Sequence, residues 1–296
     1  MNQRFQIDRN AFGLRRVHAI LQRQITAALA ALRQSHGSDD ELHRARKRMK
    51  DARATLRLLR PALPKRTFQH ENHLLRDAGR AIGAARDNRV LERTLRRMAH
   101  GAGSRSAAMS RFAGQLHQQA QAARAAALRE GIHRSAAHLE KALGNSASWP
   151  SLPRGWKALR RGLRRTYRQG RRMAKTNAHD ASAESLHEWR KRSKDLRSQL
   201  EVIAPLQHAS LEKMTDRLHL LTDELGEEHD LAVLRQRLQG APEGLKASAR
   251  DALEKRIAKR RAKLRRKALK AGKKAYTERP ARFAARLRDY FRRWPR

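Results

Sequence analysis

The sequence predicts an all-α protein made of two tandem helical bundles, each of about four long antiparallel helices. Three observations carry that expectation. Ala, Leu, Arg and Lys dominate while β-branched runs are missing, a composition that favours helix over strand. Apolar residues recur at a helical period through most of the chain. Finally, the basic stretch 42–57, LHRARKRMKDARATLR, returns ungapped at 186–201 as LHEWRKRSKDLRSQLE. With 296 residues, the chain can enclose one large or two small cores.

The elements follow in order. Leu14, Val17, Leu21, Ile25, Ala28, Leu29 and Leu32 make the stripe of a first helix that ends near His36 and Gly37. Ser38 suits the N-cap of the next helix, with Asp39 and Asp40 in its first turn and Glu41 placed to complete a capping box. Pro61 and Pro64 close it. A third helix covers roughly residues 67–82, and 83–87 reads as a break. Val90, Leu91 and Leu95 open a short helix that fades at 100–103; an Ala/Gln-rich helix then runs from about 105 to 143, with a bend expected at Gly131. Residues 144–155 (GNSASWPSLPRG) read as a linker, dense in Gly, Ser and Pro, between halves 1–143 and 156–296.

Beyond the linker the order repeats. Leu159, Arg160, Arg161 and Arg168 match Leu14, Arg15, Arg16 and Arg23 at an offset of 145, and His187 matches His43 at 144. Gly226-x-x-His-Asp230-x-x-Val233-Leu234 matches Gly83-x-x-Arg-Asp87-x-x-Val90-Leu91 at 143. Three blocks in one order, drifting by a single residue each, indicate a duplicated unit. The last long helix, about 248–276, has twelve Lys/Arg and no acid between Lys255 and Lys274, yet keeps an apolar seam of Leu253, Ile257, Leu264 and Ala268. A short helix near 282–294 finishes the chain.

Charge narrows the function. Lys and Arg number 69 against 28 Asp and Glu, a net +41 with a sequence pI near 11.8. Self-repulsion at that charge opposes compaction, so the expected partner is a polyanion: nucleic acid, inorganic polyphosphate or an anionic membrane. There is no cysteine, which excludes disulfides, thiolate catalysis and Cys-ligated zinc. The first ten residues contain no apolar run like a signal peptide, and no apolar segment is long enough to span a bilayer. A soluble cytoplasmic protein is expected.

The repeated helix holds the clearest chemistry. With His43 at zero, Arg46, Lys50, Arg53 and Arg57 fall at roughly 300°, 340°, 280° and 320° on a helical wheel. Leu42, Met49, Ala52 and Leu56 form the neighbouring apolar face. Like charges three and four residues apart cost helix stability, so keeping the row twice calls for an anionic ligand. The second row is His187, Arg190, Lys194 and Arg197, one cation shorter because Glu201 stands where Arg57 does. A phosphate beside either histidine would favour its charged form.

H-x-x-R-x-x-x-[RK]-x-x-R after an acidic helix start, followed by G-x-x-[RH]-D-x-x-V-L, all present twice, resembles the CHAD domain family. The resemblance covers nearly the whole chain. It implies two pseudo-symmetric bundles whose basic helices line a shared groove, binding of inorganic polyphosphate, and association with polyphosphate granules. The implied contacts are His43, Arg46, Lys50, Arg53 and Arg57 with His187, Arg190, Lys194 and Arg197; Arg16, Arg23, Arg161 and Arg168 form a second tier. Asp51 and Asp195 depart from the family, which commonly has arginine there.

Other chemistries fare less well. Asp87 and Asp230 suit helix capping or pairing with arginine better than metal binding. His70-Glu71-Asn72-His73 lacks the spacing of a zinc helix, and no phosphate-binding glycine loop or nucleophile elbow occurs. No metal, cofactor or enzymatic activity is therefore expected. Nucleic-acid backbone binding remains the alternative, best placed on the 255–274 helix, although aromatics are only 4% and offer few stacking platforms. A metal-dependent polyphosphatase or triphosphatase is the third possibility considered.

Overall fold

The structure, a computed structural model, describes residues 13–35, 38–83, 94–95, 97–98, 124–150, 152, 156–204, 208–239 and 247–293. Among them are nine α-helices and no strand. Those helices are α1 Leu14–Arg33, α2 Asp39–Leu59, α3 Lys65–Ala81, α4 Arg124–Ala147, α5 Lys157–His179, α6 Ala183–Val202, α7 Ala209–Gln239, α8 Ala247–Ala275 and α9 Pro280–Arg293.

Each helix buries the stripe its sequence pattern marks. α1 turns Leu14, Val17, Leu21, Ile25, Ala28, Leu29 and Leu32 inward, and α2 meets it with Leu42, Ala45, Met49, Ala52, Leu56 and Leu59. α4 lies across α1 and α3. In the same manner α5 packs on α6, α6 on α7 and α7 on α8, while α9 covers α5. The two sets meet where α2 touches α5 and α6. One core cluster runs through both sets, and a smaller cluster of Leu231, Leu234, Leu238, Leu253, Ile257 and Leu264 joins α7 to α8. Trp189, Tyr167 and Phe283 are the largest fully buried side chains, each contributing roughly 2–3 kcal/mol of apolar burial. The Tyr167 hydroxyl donates to the Glu278 carbonyl at 3.0 Å and accepts from the Glu278 N–H at 3.1 Å, fixing the turn into α9.

Several local expectations change. Residues 144–147, read as the start of a linker, are helical. Asn145 Nδ2 donates to Glu71 Oε1 at 3.0 Å, and Ser146 Oγ accepts from Gln22 Nε2 at 3.2 Å, so tertiary bonds hold the helix past Gly144. Further along that segment, Trp149 stacks on His18 with ring centroids 4.8 Å apart, and Leu152 is buried. Gly226, which the repeat aligns with the break expected at 83–87, lies inside the continuous α7, so Asp230 stands at no helix end. The capping box at Ser38 is not formed: Ser38 makes no side-chain cap bond, and Glu41 pairs with Arg44. The equivalent Ser182 does cap α6, accepting from the Ser185 N–H at 3.1 Å. α4 continues unbroken through Gly131, which packs against the backbone of Ala81. Asp87, Val90 and Leu91 lie outside the described residues.

α8 is less available than its composition suggests. Glu227 pairs bidentately with Arg260 at 2.7 and 2.8 Å, and Glu224 meets Lys267 at 3.3 Å. Fully buried Glu228 accepts from Arg261 and Arg265 at 2.8–3.0 Å. Four of the twelve cations between Lys255 and Lys274 thus zip the helix to α7.

Candidate functional site

The two repeated basic helices cross each other. Ser198 Oγ on α6 donates to Asp51 Oδ1 on α2 at 3.0 Å, Gln199 Nε2 donates to the Ala54 carbonyl at 2.8 Å, and Arg57 Nη1 pairs with Asp195 Oδ1 at 3.1 Å. Lys47 lies within electrostatic reach of Glu201, and Arg192 within reach of Arg53. Rising numbers on α2 thus meet falling numbers on α6. The helices cross antiparallel, with His43 and His187 at opposite ends. Asp51 and Asp195 are the polar ties of this crossing, which accounts for acids in so basic a helix.

Each basic row lies along one neighbouring helix. On the first, Arg46 Nη1 donates to the Ile82 carbonyl at 3.1 Å, and Arg53 Nη2 donates to Asn72 Oδ1 at 3.4 Å. On the second, Arg190 lies over Gly226, and Arg197 Nη1 donates to Thr222 Oγ1 at 3.4 Å. Both motif glycines admit a guanidinium: a Cβ on Gly83 would stand 3.2 Å from Arg46 Nη1, and one on Gly226 would stand 3.1 Å from Arg190 Nη2. The glycine of G-x-x-[RH]-D thus serves close approach in both copies; Gly83 also follows the end of α3, as expected, whereas Gly226 lies within α7. The Nε atom of Arg53 is buried without a hydrogen-bond partner, leaving a donor that a nearby anion's field would stabilise.

Positive charge concentrates at the crossing. Lys194 is half-buried, and burial pushes its pKa down to about 7, helped by Arg190, Lys50 and Arg197; Asp223 opposes the shift. Arg53 is likewise lowered to about 10 by burial and then by Arg57. A further group adjoins them, of which the sequence anticipated Arg168 alone. The Arg165 guanidinium is held below its ordinary value by burial and then by Arg60, Arg168 and Arg192. Only the alternation of arginines along α5 could have signalled it.

The remaining candidates separate. His43 and Lys50 are exposed on α2. His187 is half-buried and stacked on His229 at 4.3 Å; burial and then His229 depress its pKa to about 4. It is neutral near pH 7 in the unliganded protein, so a phosphate beside it would work against that burial in charging it. Arg57 is engaged with Asp195, and Arg197 Nε lies 3.4 Å from Glu201. Arg168 joins the Arg60–Arg165–Arg192 group, whereas Arg161 lines a separate cleft with α9. Arg16 and Arg23 are exposed on α1 and make no side-chain hydrogen bond or ion pair among the described residues.

Chemically, the crossing offers fork-shaped and point-charge donors to an extended anion. Among the described residues, no group of three or more His, Asp or Glu is placed to hold a metal ion, and no helix is long and apolar enough to cross a membrane.

Comparison with known proteins agrees with this architecture. The family model described as CHAD domain matches residues 19–239. The crystal structure of the CHAD domain from the plant Ricinus communis superimposes with a TM-score of 0.66 at 22% identity, covering 94% of this chain and 96% of that one. At that identity the likeness speaks to the fold. No curated protein matches the chain by sequence.

Proposed function

Because the chain belongs to the CHAD domain family, with both basic helices inside the matched region, we propose that it binds inorganic polyphosphate along the α2–α6 crossing and associates with polyphosphate granules. The observation that carries this reading is the gathering of Lys50, Arg190 and Arg197 around Lys194, where two repeated helices meet. A flexible polymer with a charge on every phosphate relieves that repulsion, and arginine forks bind its oxygens in pairs. His43, Arg46, Arg53 and Arg168 extend the surface, while Arg57 joins once a ligand competes with Asp195. The two halves act as one binding unit, and the role assigned is binding rather than catalysis.

The test is a variant with Arg46, Lys50, Arg190 and Lys194 all changed to Glu. It should keep its helicity by circular dichroism and lose long-chain polyphosphate binding at moderate salt; unchanged affinity would place the ligand elsewhere. Nucleic acid is the second reading, favoured by the lysines of α8 other than Lys267, which make no ion pair among the described residues. Duplex DNA that displaces polyphosphate at equal phosphate concentration would decide for it.

A further inference from the structure

A second concentration of charge lies away from the crossing, between the first turns of α5 and the length of α9. There Lys157, Arg160, Arg161, Arg164 and Arg288 line a cleft of about 370 Å³. The four α5 cations stand at i, i+3, i+4 and i+7, the spacing at which like charges repel most on a helix. None of the four makes an ion pair or side-chain hydrogen bond among the described residues. Among the described residues, Arg288 pairs with its neighbour Asp289 alone, at 3.3 Å. The facing residues of α9 are Ala281, Ala284 and Ala285, whose small side chains keep the cleft open.

The walls are held rigidly. Trp156 stacks on Phe291 at 3.6 Å and 13°, and Tyr167 stacks on Phe283 at 4.2 Å and 13°. Arg286 pairs with Glu278 at 3.0 Å, beside the hydrogen bonds from Tyr167 to the same residue. The helices that carry these cations are held together, so their side chains stay neighbours, and a multiply charged anion between them offsets their mutual repulsion. The site is concave and short, its lining contains three arginine forks from α5 and one from α9, and it offers no aromatic face for a base.

We infer that this cleft is a second phosphate site, which takes a compact oligophosphate group such as pyrophosphate or tripolyphosphate. It stands whether or not the α2–α6 reading holds, and Arg161 belongs here rather than with the crossing. α9 lies beyond residues 19–239 of the family match.

The experiment uses the full chain and inorganic tripolyphosphate. In the wild-type protein, tripolyphosphate should slow chemical acetylation of exposed Lys157 several-fold more than that of exposed Lys259 on α8; equal protection of the two would overturn the site. Calorimetry on the four-Glu variant of the crossing should still detect tripolyphosphate. Adding Arg160→Glu and Arg164→Glu should weaken it at least about tenfold, and an unchanged affinity in a variant of native helicity overturns the proposal. If those changes prevent folding, the Lys157 protection decides. Long-chain polyphosphate bound as tightly by the four-Glu variant as by the wild type sinks the crossing while leaving this result intact.

Discussion

Arg190 lies directly over Gly226, so that a Cβ there would stand 3.1 Å from its Nη2. Because Gly226 is inside α7, alanine would gain roughly 0.5–1 kcal/mol of helix propensity while pushing the guanidinium aside. Gly226→Ala should therefore melt no lower than the wild type, yet bind polyphosphate about three- to tenfold more weakly. Thermal melts and titrations on the same sample check both halves; equal affinity would mean that the placement of Arg190 is immaterial.

Lys194 should make binding depend on pH. Its pKa near 7 in the unliganded protein means that a bound polyanion, which favours the charged form, draws in a proton above that pH. Affinity should fall as pH rises beyond about 7, by at most a factor of about ten per pH unit from this one group. Lys194→Arg should flatten the profile. Stability runs the other way: the unfolded chain binds the proton up to 10.5, so the folded state gains stability from about pH 7 to 10.5.

Asp195 holds Arg57 at 3.1 Å in a largely buried pair. Asp195→Asn should cost about 2 kcal/mol of stability. It also releases a cation next to the crossing, so polyphosphate affinity should increase about threefold or more. Chemical denaturation and titration at fixed salt read the two effects; weaker binding would show that the pair itself positions the site.

Acid should loosen the second half through His187. Its folded-state pKa is about 4 against an ordinary 6.5, so between those values the unfolded chain holds more protons and stability falls as pH drops. The wild-type melting temperature should decline across that window more steeply than that of His187→Gln. Parallel declines would assign the acid sensitivity to other groups.

Much of this was legible in the sequence because helical periodicity and a repeat are local signals. The stripe from Leu14 to Leu32 and the inward face of α2 needed no tertiary knowledge. What escaped notice depends on partners far along the chain. Gly144 to Ala147 continue α4 because Glu71 and Gln22 bind Asn145 and Ser146, and neither contact leaves a mark on local composition. Gly226 looked like punctuation because a glycine's preference for turns is visible in a sequence, whereas an arginine lying over it is not. The Arg57–Asp195 pair was hidden for the same reason, since a wheel shows which side a residue takes but not what crosses it. The pairing of Glu224, Glu227 and Glu228 with α8 likewise could not be inferred from a count of charges.

The antiparallel crossing of α2 and α6 sets a symmetry condition on the ligand. A polymer entering past His43 and one entering past His187 meet the same order of groups, apart from Glu201 facing the place of Arg57. For the proposed polyphosphate ligand, which has two identical ends, either approach would be equivalent. A nucleic acid strand has a direction, and the two rows would read it in opposite senses.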